Sequence, residues 1–232
     1  MNSNQFIEQE FKQLGLLKGI ASEHYPEILD SGIRKNIKPR MILFHEGDPA
    51  QRCYLVVKGS LKLAKLNEQG REVIIRYIGP AELAAEIAVL KEKDYPVTAE
   101  TMKETEVIGW DKQTMLQLMR KYPDIAINML NTVLERINDV QSRYLELSTE
   151  LVGQRIARTM LRLMRRAGKK TEEGVRIDIP LSRQNIADYC GTTLYTASRT
   201  LSVWEKRGWI KSRREQITIT DPNAIMIFAE KE

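Results

Sequence analysis

From Ala126 to Leu151 the apolar residues Ala126, Leu130, Val133, Ile137, Val140, Tyr144, Leu147 and Leu151 recur at alternating spacings of four and three. This is the period of a coiled-coil seam held for over three heptads, with Glu135, Arg136, Asp139 and Arg143 off the stripe. A long helix with so narrow an apolar face needs a surface to cover it. The chain's own globular part is one candidate and a second copy of the chain is the other. The regularity favours the second, so Leu130, Val133, Ile137, Val140 and Tyr144 are expected to form a homodimer interface. A parallel pair sets two copies of whatever follows the helix side by side.

Before the seam the text has a different period. From about Arg34 to Trp110, runs rich in Val, Ile, Leu and Tyr recur between Gly and Pro punctuation: MILFHEGDPA, CYLVVKGSLKLAKL, EVIIRYIGPAE and TEVIGWD. Several alternate apolar and polar residues, and Gly47, Gly59, Gly70 and Gly79 mark turns. This pattern predicts a small antiparallel barrel or sandwich, interrupted by a helical stretch at AELAAEIAVL. Residues 1–32 read as one or two short helices, with Pro26 breaking the pattern.

After the seam comes a third pattern. GQRIARTMLRLMRRAG predicts an amphipathic basic helix ending at Gly168, GVRIDIP a short strand, and WIKSRREQITITD a hairpin around a charged turn. The expected organisation is a β-barrel domain with N-terminal helices over 1–110, a dimerisation helix over 111–150 and a winged helix-turn-helix over 151–232, an α+β chain. Charge follows these boundaries. Residues 1–151 hold 20 Lys and Arg against 22 Asp and Glu, net −2, whereas residues 152–232 hold 16 against 9, net +7. A basic third on a near-neutral body points to a polyanion-binding module.

The densest signal lies in IPLSRQNIADYCGTTLYTASRTLSVWEKRGWI. Ser182 is suited to cap a first helix with Ile186 and Ala187 facing inward, and Gly191 can take a positive φ in a tight turn. Thr193 can cap a second helix with Ala197, Leu201 and Trp204 buried, ended by Gly208. Helix, short turn with Gly, helix is the helix-turn-helix pattern. On the second helix Leu194, Tyr195, Ser198 and Arg199 share a face that the core does not need. Arg199 offers two parallel donors suited to guanine O6 and N7, Ser198 suits a base or a thymine methyl, and Tyr195 suits an apolar or hydrogen-bonding contact. Ser182, Arg183, Gln184, Thr193 and Thr196 sit where they can fix phosphates of double-stranded DNA.

Other classes fit poorly. Cys53 and Cys190 lie far apart outside any CxxC pair, which disfavours a structural disulfide, an iron–sulfur cluster or a zinc site. Only His24 and His45 are present, too few for a multi-histidine metal centre, and no nucleophile motif, phosphate-binding glycine loop or HExxH occurs, so no catalytic or metal residue is assigned. Cys53 reads as a redox sensor or as a strand core residue, and its apolar run favours the core. No run approaches the roughly 20 apolar residues that span a bilayer, and MNSNQFIEQEF lacks a secretion signal, so a cytoplasmic protein without membrane attachment is expected.

Over about residues 15–225 the chain resembles the superfamily of the cyclic-AMP receptor protein and the fumarate–nitrate reductase regulator (CRP/FNR), on FHEGDPAQRCYLVVKGSLKL with its Glu46-Gly47 and Gly59, and on LSRQNIADYCGTTLYTASRTL. The resemblance implies a cyclic-nucleotide-binding-like jelly roll whose effector resets the dimer helices, a palindromic operator of TTG-type half-sites and RNA polymerase as partner. The family's recognition arginine matches Arg199 and its small contact residue Ser198, whereas its usual glutamate falls at Tyr195, leaving one base pair open. In nucleotide-binding members a Gly-Glu pair and a later Arg-Ser pair grip ribose and phosphate. Glu86 keeps the acid, but Ala85 stands at the glycine and Tyr95-Pro96 at Arg-Ser, so Glu86, Tyr95 and Thr98 are expected to line an effector pocket that does not take cyclic AMP. AEIAVL, DYPVTAE and GTTLYTASRTL are most similar to the nitric-oxide-responsive Dnr and NnrR groups, whose resemblance makes haem one candidate cofactor; His24 and His45 are the two histidines that could ligate it, the sequence places neither inside the barrel, and the cofactor stays open. A nucleotide-responsive regulator and a constitutive DNA binder with a scaffold barrel stay open.

Overall fold

A computed structural model describes residues 15–230, so the reading of residues 1–14 lies outside the described residues. The chain forms two compact units, one from residues up to 65 together with 77–140, the other from 66–76 together with 141 onward. The unit boundary therefore falls inside the seam helix.

Among the described residues eight strands precede the seam helix: β1 (Ile33–Ile37), β2 (Ile42–Phe44), β3 (Cys53–Lys58), β4 (Leu61–Leu66), β5 (Glu72–Ile78), β6 (Leu83–Ala84), β7 (Thr98–Thr101) and β8 (Thr105–Trp110). They make two four-stranded sheets of a jelly roll, in the orders β1-β8-β3-β6 and β2-β7-β4-β5. Strand β3 explains the arrangement. Cys53 and Leu55 pack with the helices on one side of its sheet, and Tyr54 and Val56 pack toward the opposing sheet. A period-2 strand buried on both faces reads as a continuous apolar run. Strand β8 repeats this, with Ile108 and Trp110 on the helical side and Val107 between the sheets. The turn from β3 to β4 demands glycine: Gly59 has φ +95°, and a Cβ there would lie 2.5 Å from Thr105 Cα.

Helix α1 (Tyr25–Asp30) carries Pro26 in its first turn rather than being broken by it, because proline suits that position. Helix α2 (Glu86–Leu90) is the expected interruption of the barrel. The helix read over 111–150 is two helices, α3 (Lys112–Lys121) and α4 (Pro123–Thr149). Tyr122, at φ −127° and ψ 81°, leaves helical space because the following proline excludes it. Asp111 caps α3 by accepting the Thr114 N–H at 2.8 Å, which holds its carboxyl below the usual carboxylate range. On α4 Ile125 and Met129 join the core of the first unit. The seam does not: Leu130, Ile137, Val140, Tyr144 and Leu147 are exposed, and Val133 is half-buried.

The second unit follows with α5 (Val152–Ala167), β9 (Gly168–Thr171), β10 (Gly174–Ile177), α6 (Arg183–Cys190), α7 (Leu194–Lys206), β11 (Ile210–Arg213), β12 (Gln216–Ile219) and α8 (Pro222–Glu230). Its strands form one antiparallel sheet in the order β11-β12-β10-β9. Ile156, Met160, Ile186, Ala187, Ala197, Leu201, Trp204, Ile217 and Ile225 are buried in this unit. Trp204 meets Phe228 edge-on at 5.5 Å.

Candidate nucleic-acid interface and sensor site

Local chemistry sets the geometry of α6 and α7. Ser182 Oγ accepts the Asn185 N–H at 3.0 Å while the Ser182 N–H donates to Asn185 Oδ1 at 3.0 Å, a reciprocal cap on α6. Gly191 closes α6 at φ +63°, its N–H donating to Ala187 O. Two residues after Gly191, Thr193 Oγ1 accepts the Thr196 N–H at 3.2 Å and caps α7, which starts at Leu194. Behind them Ile186, Ala187, Ala197, Leu201 and Trp204 fix the crossing of the two helices.

The expected contact residues separate into two groups. Tyr195 and Arg199 are exposed and Ser198 is half-buried on the outer side of α7, and the Arg199 guanidinium has no partner among the described residues. Gln184 is exposed beside them and donates to Asp188 Oδ1 at 2.7 Å. The hydroxyls of Thr193 and Thr196 lie 3.0 Å apart, and Ser182 is occupied by its cap. Arg183 has an intramolecular role that spacing did not reveal. Its guanidinium reaches Ser202 Oγ at 3.0 Å and Glu205 Oε2 at 2.9 Å, and Glu205 Oε1 accepts the Ser212 N–H of β11 at 3.1 Å. Arg183 and Glu205 thus pin α6, α7 and the wing together. The wing, β11 and β12, turns at Arg214–Glu215 with both residues exposed. Beside α7 runs a cleft of about 340 Å³, with Tyr195, Arg199 and Arg207 among its lining residues and Trp204 and Phe228 behind.

In the first unit the expected effector residues are held by the protein itself. Ala85 keeps the left-handed conformation, φ +66° and ψ 11°, that glycine would adopt without strain, and Glu86 opens α2 behind it. Glu86 is 2% exposed and pairs through Oε1 with Arg136 of α4, whose guanidinium also donates to Leu83 O at 2.6 Å. The second oxygen of Glu86 is buried with no partner among the described residues. Tyr95 is buried: its ring stacks on Phe44 at 4.0 Å, and its hydroxyl accepts from Arg52 N and donates to Arg52 O. Thr98 Oγ1 accepts the Glu46 N–H at 3.0 Å.

Haem ligation by histidine does not fit these residues. His45 is exposed between β2 and β3, and His24 packs against the Tyr122 ring at 5.2 Å. Among the described residues no group of three or more His, Cys, Asp or Glu is placed to hold a metal ion. Cys53 is fully buried, its thiol pushed up to about 12 by burial and then by the charge of Glu86. No helix among the described residues is long and apolar enough to cross a membrane.

A jelly-roll sensor and a winged helix-turn-helix in one chain define a class, the ligand-responsive DNA-binding regulator. Comparison with known proteins gives the family. Residues 34–122 match the cyclic nucleotide-binding domain and residues 154–226 the Crp-like helix-turn-helix domain, together well over half of the chain. The chain belongs to the CRP/FNR superfamily of DNA-binding transcription regulators. It is 25% identical over 224 residues to the global nitrogen regulator of Synechocystis sp., covering 96% of this chain and 97% of the relative. It is 24% identical over 179 residues to the CRP-like cAMP-activated global transcriptional regulator of Mycobacterium tuberculosis, covering 77% and 80%. A CRP-family transcriptional regulator of Thermus thermophilus shares the fold, with a TM-score of 0.73 at 23% identity over 85% of this chain and 97% of that one.

Proposed function

We propose that two copies of this chain pair through the α4 seam and present two α7 helices to a palindromic operator with TTG-type half-sites about one helical turn apart. The observation that carries this reading is Arg199, exposed and without a partner among the described residues on the outer face of a fully capped second helix. RNA polymerase is the proposed partner through family membership. Within the first unit, the buried Glu86–Arg136 pair joins α2 to α4, so a ligand that displaces either side chain acts directly on the seam helix.

The signal we favour is not a cyclic nucleotide bound in the usual way, because Tyr95-Pro96 supplies no cation for a phosphate and Tyr95 fills its own site. Nitric oxide through haem, implied by the similarity to Dnr and NnrR, lacks an interior histidine. The nucleotide reading keeps one supporting observation, the unpartnered buried Glu86 oxygen, which suits a ribose hydroxyl. The test is an anaerobic titration of a palindromic TTG duplex, alone, with cyclic AMP, and with haem plus nitric oxide. Arg199→Ala is expected to lose about 1–3 kcal/mol of specific binding per half-site. Wild-type discrimination by that variant refutes the assignment of α7. Tightening by cyclic AMP overturns the preferred view of the signal, and equal binding in every arm favours a constitutive binder.

A further inference from the structure

Helix α7 enters its proposed groove with an unusual first turn. Leu194 is 46% exposed and Tyr195 75% exposed, and neither joins the core beneath, which is made by Ala197, Leu201 and Trp204. The threonines of this end are taken: Thr193 caps the helix and its hydroxyl meets that of Thr196, while Thr200 donates to Thr196 O at 3.0 Å, which leaves half-buried Ser198 one turn on as the polar neighbour. The first turn of the helix therefore leads with the Leu194 side chain and the Tyr195 ring, apolar area where hydrogen-bonding side chains would read base edges. The major groove holds one apolar group, the C5 methyl of thymine.

We infer that Leu194 and Tyr195 read thymine methyls, making them the specificity-determining partners of Arg199. The proposal rests on α7 being the recognition helix. Four to five residues separate the pair from Arg199, about 6–7.5 Å along the axis at 1.5 Å per residue. Base pairs stack at about 3.4 Å, so for a helix inclined in the groove the methyls lie within about two steps of the guanine that Arg199 reads. Two thymines preceding a guanine satisfy that spacing. Leu194 and Tyr195 replace hydrogen-bond readout at this end of the half-site by shape and methyl contact, and cytosine in place of thymine removes the methyl and changes the O4 acceptor to an N4 donor at once.

The experiment uses the full chain and three duplexes: the TTG palindrome, the same palindrome with deoxyuridine for both thymines of each half-site, and a scrambled control. Uracil pairs as thymine does and lacks only the methyl. Burial of one methyl-sized group corresponds to about fourfold in affinity. One contacted methyl per half-site thus predicts about fifteenfold weaker binding of the uracil duplex by fluorescence anisotropy. The Leu194→Ala, Tyr195→Ala double variant is expected to bind thymine and uracil duplexes equally, while both remain tighter than the scrambled control through Arg199. Both side chains are exposed, so this variant keeps its fold, which far-UV circular dichroism checks. Equal binding of the two duplexes by wild type, with discrimination against the scramble intact, overturns the methyl contact and leaves the recognition helix standing. No preference for the palindrome over the scramble overturns the operator reading and the methyl contact with it.

Discussion

Replacing Val133 and Ile137 by aspartate puts the seam to a direct test. In one chain Ile137 is 47%, Val140 62% and Tyr144 68% exposed, so about half or more of each side chain remains to be covered by a partner. Val133→Asp with Ile137→Asp sets four carboxylates into the seam of a symmetric pair. Burying an unpaired carboxylate costs several kcal/mol. At only about 2 kcal/mol each, the four cost about 8 kcal/mol, which raises the dimer Kd by more than about a hundred-thousandfold. The lost apolar cover adds to this. Sedimentation velocity across the micromolar range should therefore show dimers for wild type and monomers for the variant, with Ser142→Asp, exposed outside the stripe, as a dimeric control. Dimers of unchanged affinity in the double variant would mean that another surface joins the copies.

Two further predictions concern the interiors. Glu205→Ala removes the acceptor shared by Arg183 and the Ser212 N–H, which should lower the stability of the second unit by about 1–2 kcal/mol. Denaturant unfolding followed through Trp204 and Trp209 fluorescence reads this out, and an unmoved midpoint would show that the brace is idle. Burial pushes Cys53 from 9.0 up to about 12 and Cys190 up to about 11, so both thiols stay neutral in the fold and ionise in the unfolded chain. Their stabilisation is complete below pH 9 and declines as pH rises, by about 1.4 kcal/mol per unit for each thiol until its folded value is reached. Replacing both by serine should flatten the alkaline limb of the stability curve, and rapid iodoacetamide labelling of Cys53 in the native state would contradict its burial.

What the sequence disclosed was local. Caps, turns and period are decided by neighbours in the chain, so Ser182, Gly191, Thr193 and the helix pair between them could be read directly. The strands missed by reading, β1, β6, β7 and β9, are short, β1 is almost wholly exposed and β9 wholly so, and no apolar alternation marked them. The break at Tyr122–Pro123 was written in the sequence but outweighed by helical period on both sides. Long-range pairs left no trace: Glu86 and Arg136 are 50 positions apart, and Arg183 meets Glu205 across 22. A surface arginine and a bracing arginine have the same letter, which is why Arg183 and Arg199 looked alike until the fold assigned one of them to Glu205.

Tyr95 limits how this barrel can be altered. Its hydroxyl is at once acceptor for the Arg52 N–H and donor to the Arg52 carbonyl, and its ring stacks on Phe44. An arginine at this position offers only donors, so it leaves the Arg52 N–H without its acceptor and removes the stacked ring. Tyr95→Arg is therefore expected to cost the barrel these contacts rather than simply to add a cation to it. The loop from Glu46 to Arg52 and the Tyr95 segment therefore vary as one unit, because a change at Tyr95 is tolerated only where the Arg52 N–H and carbonyl find new partners.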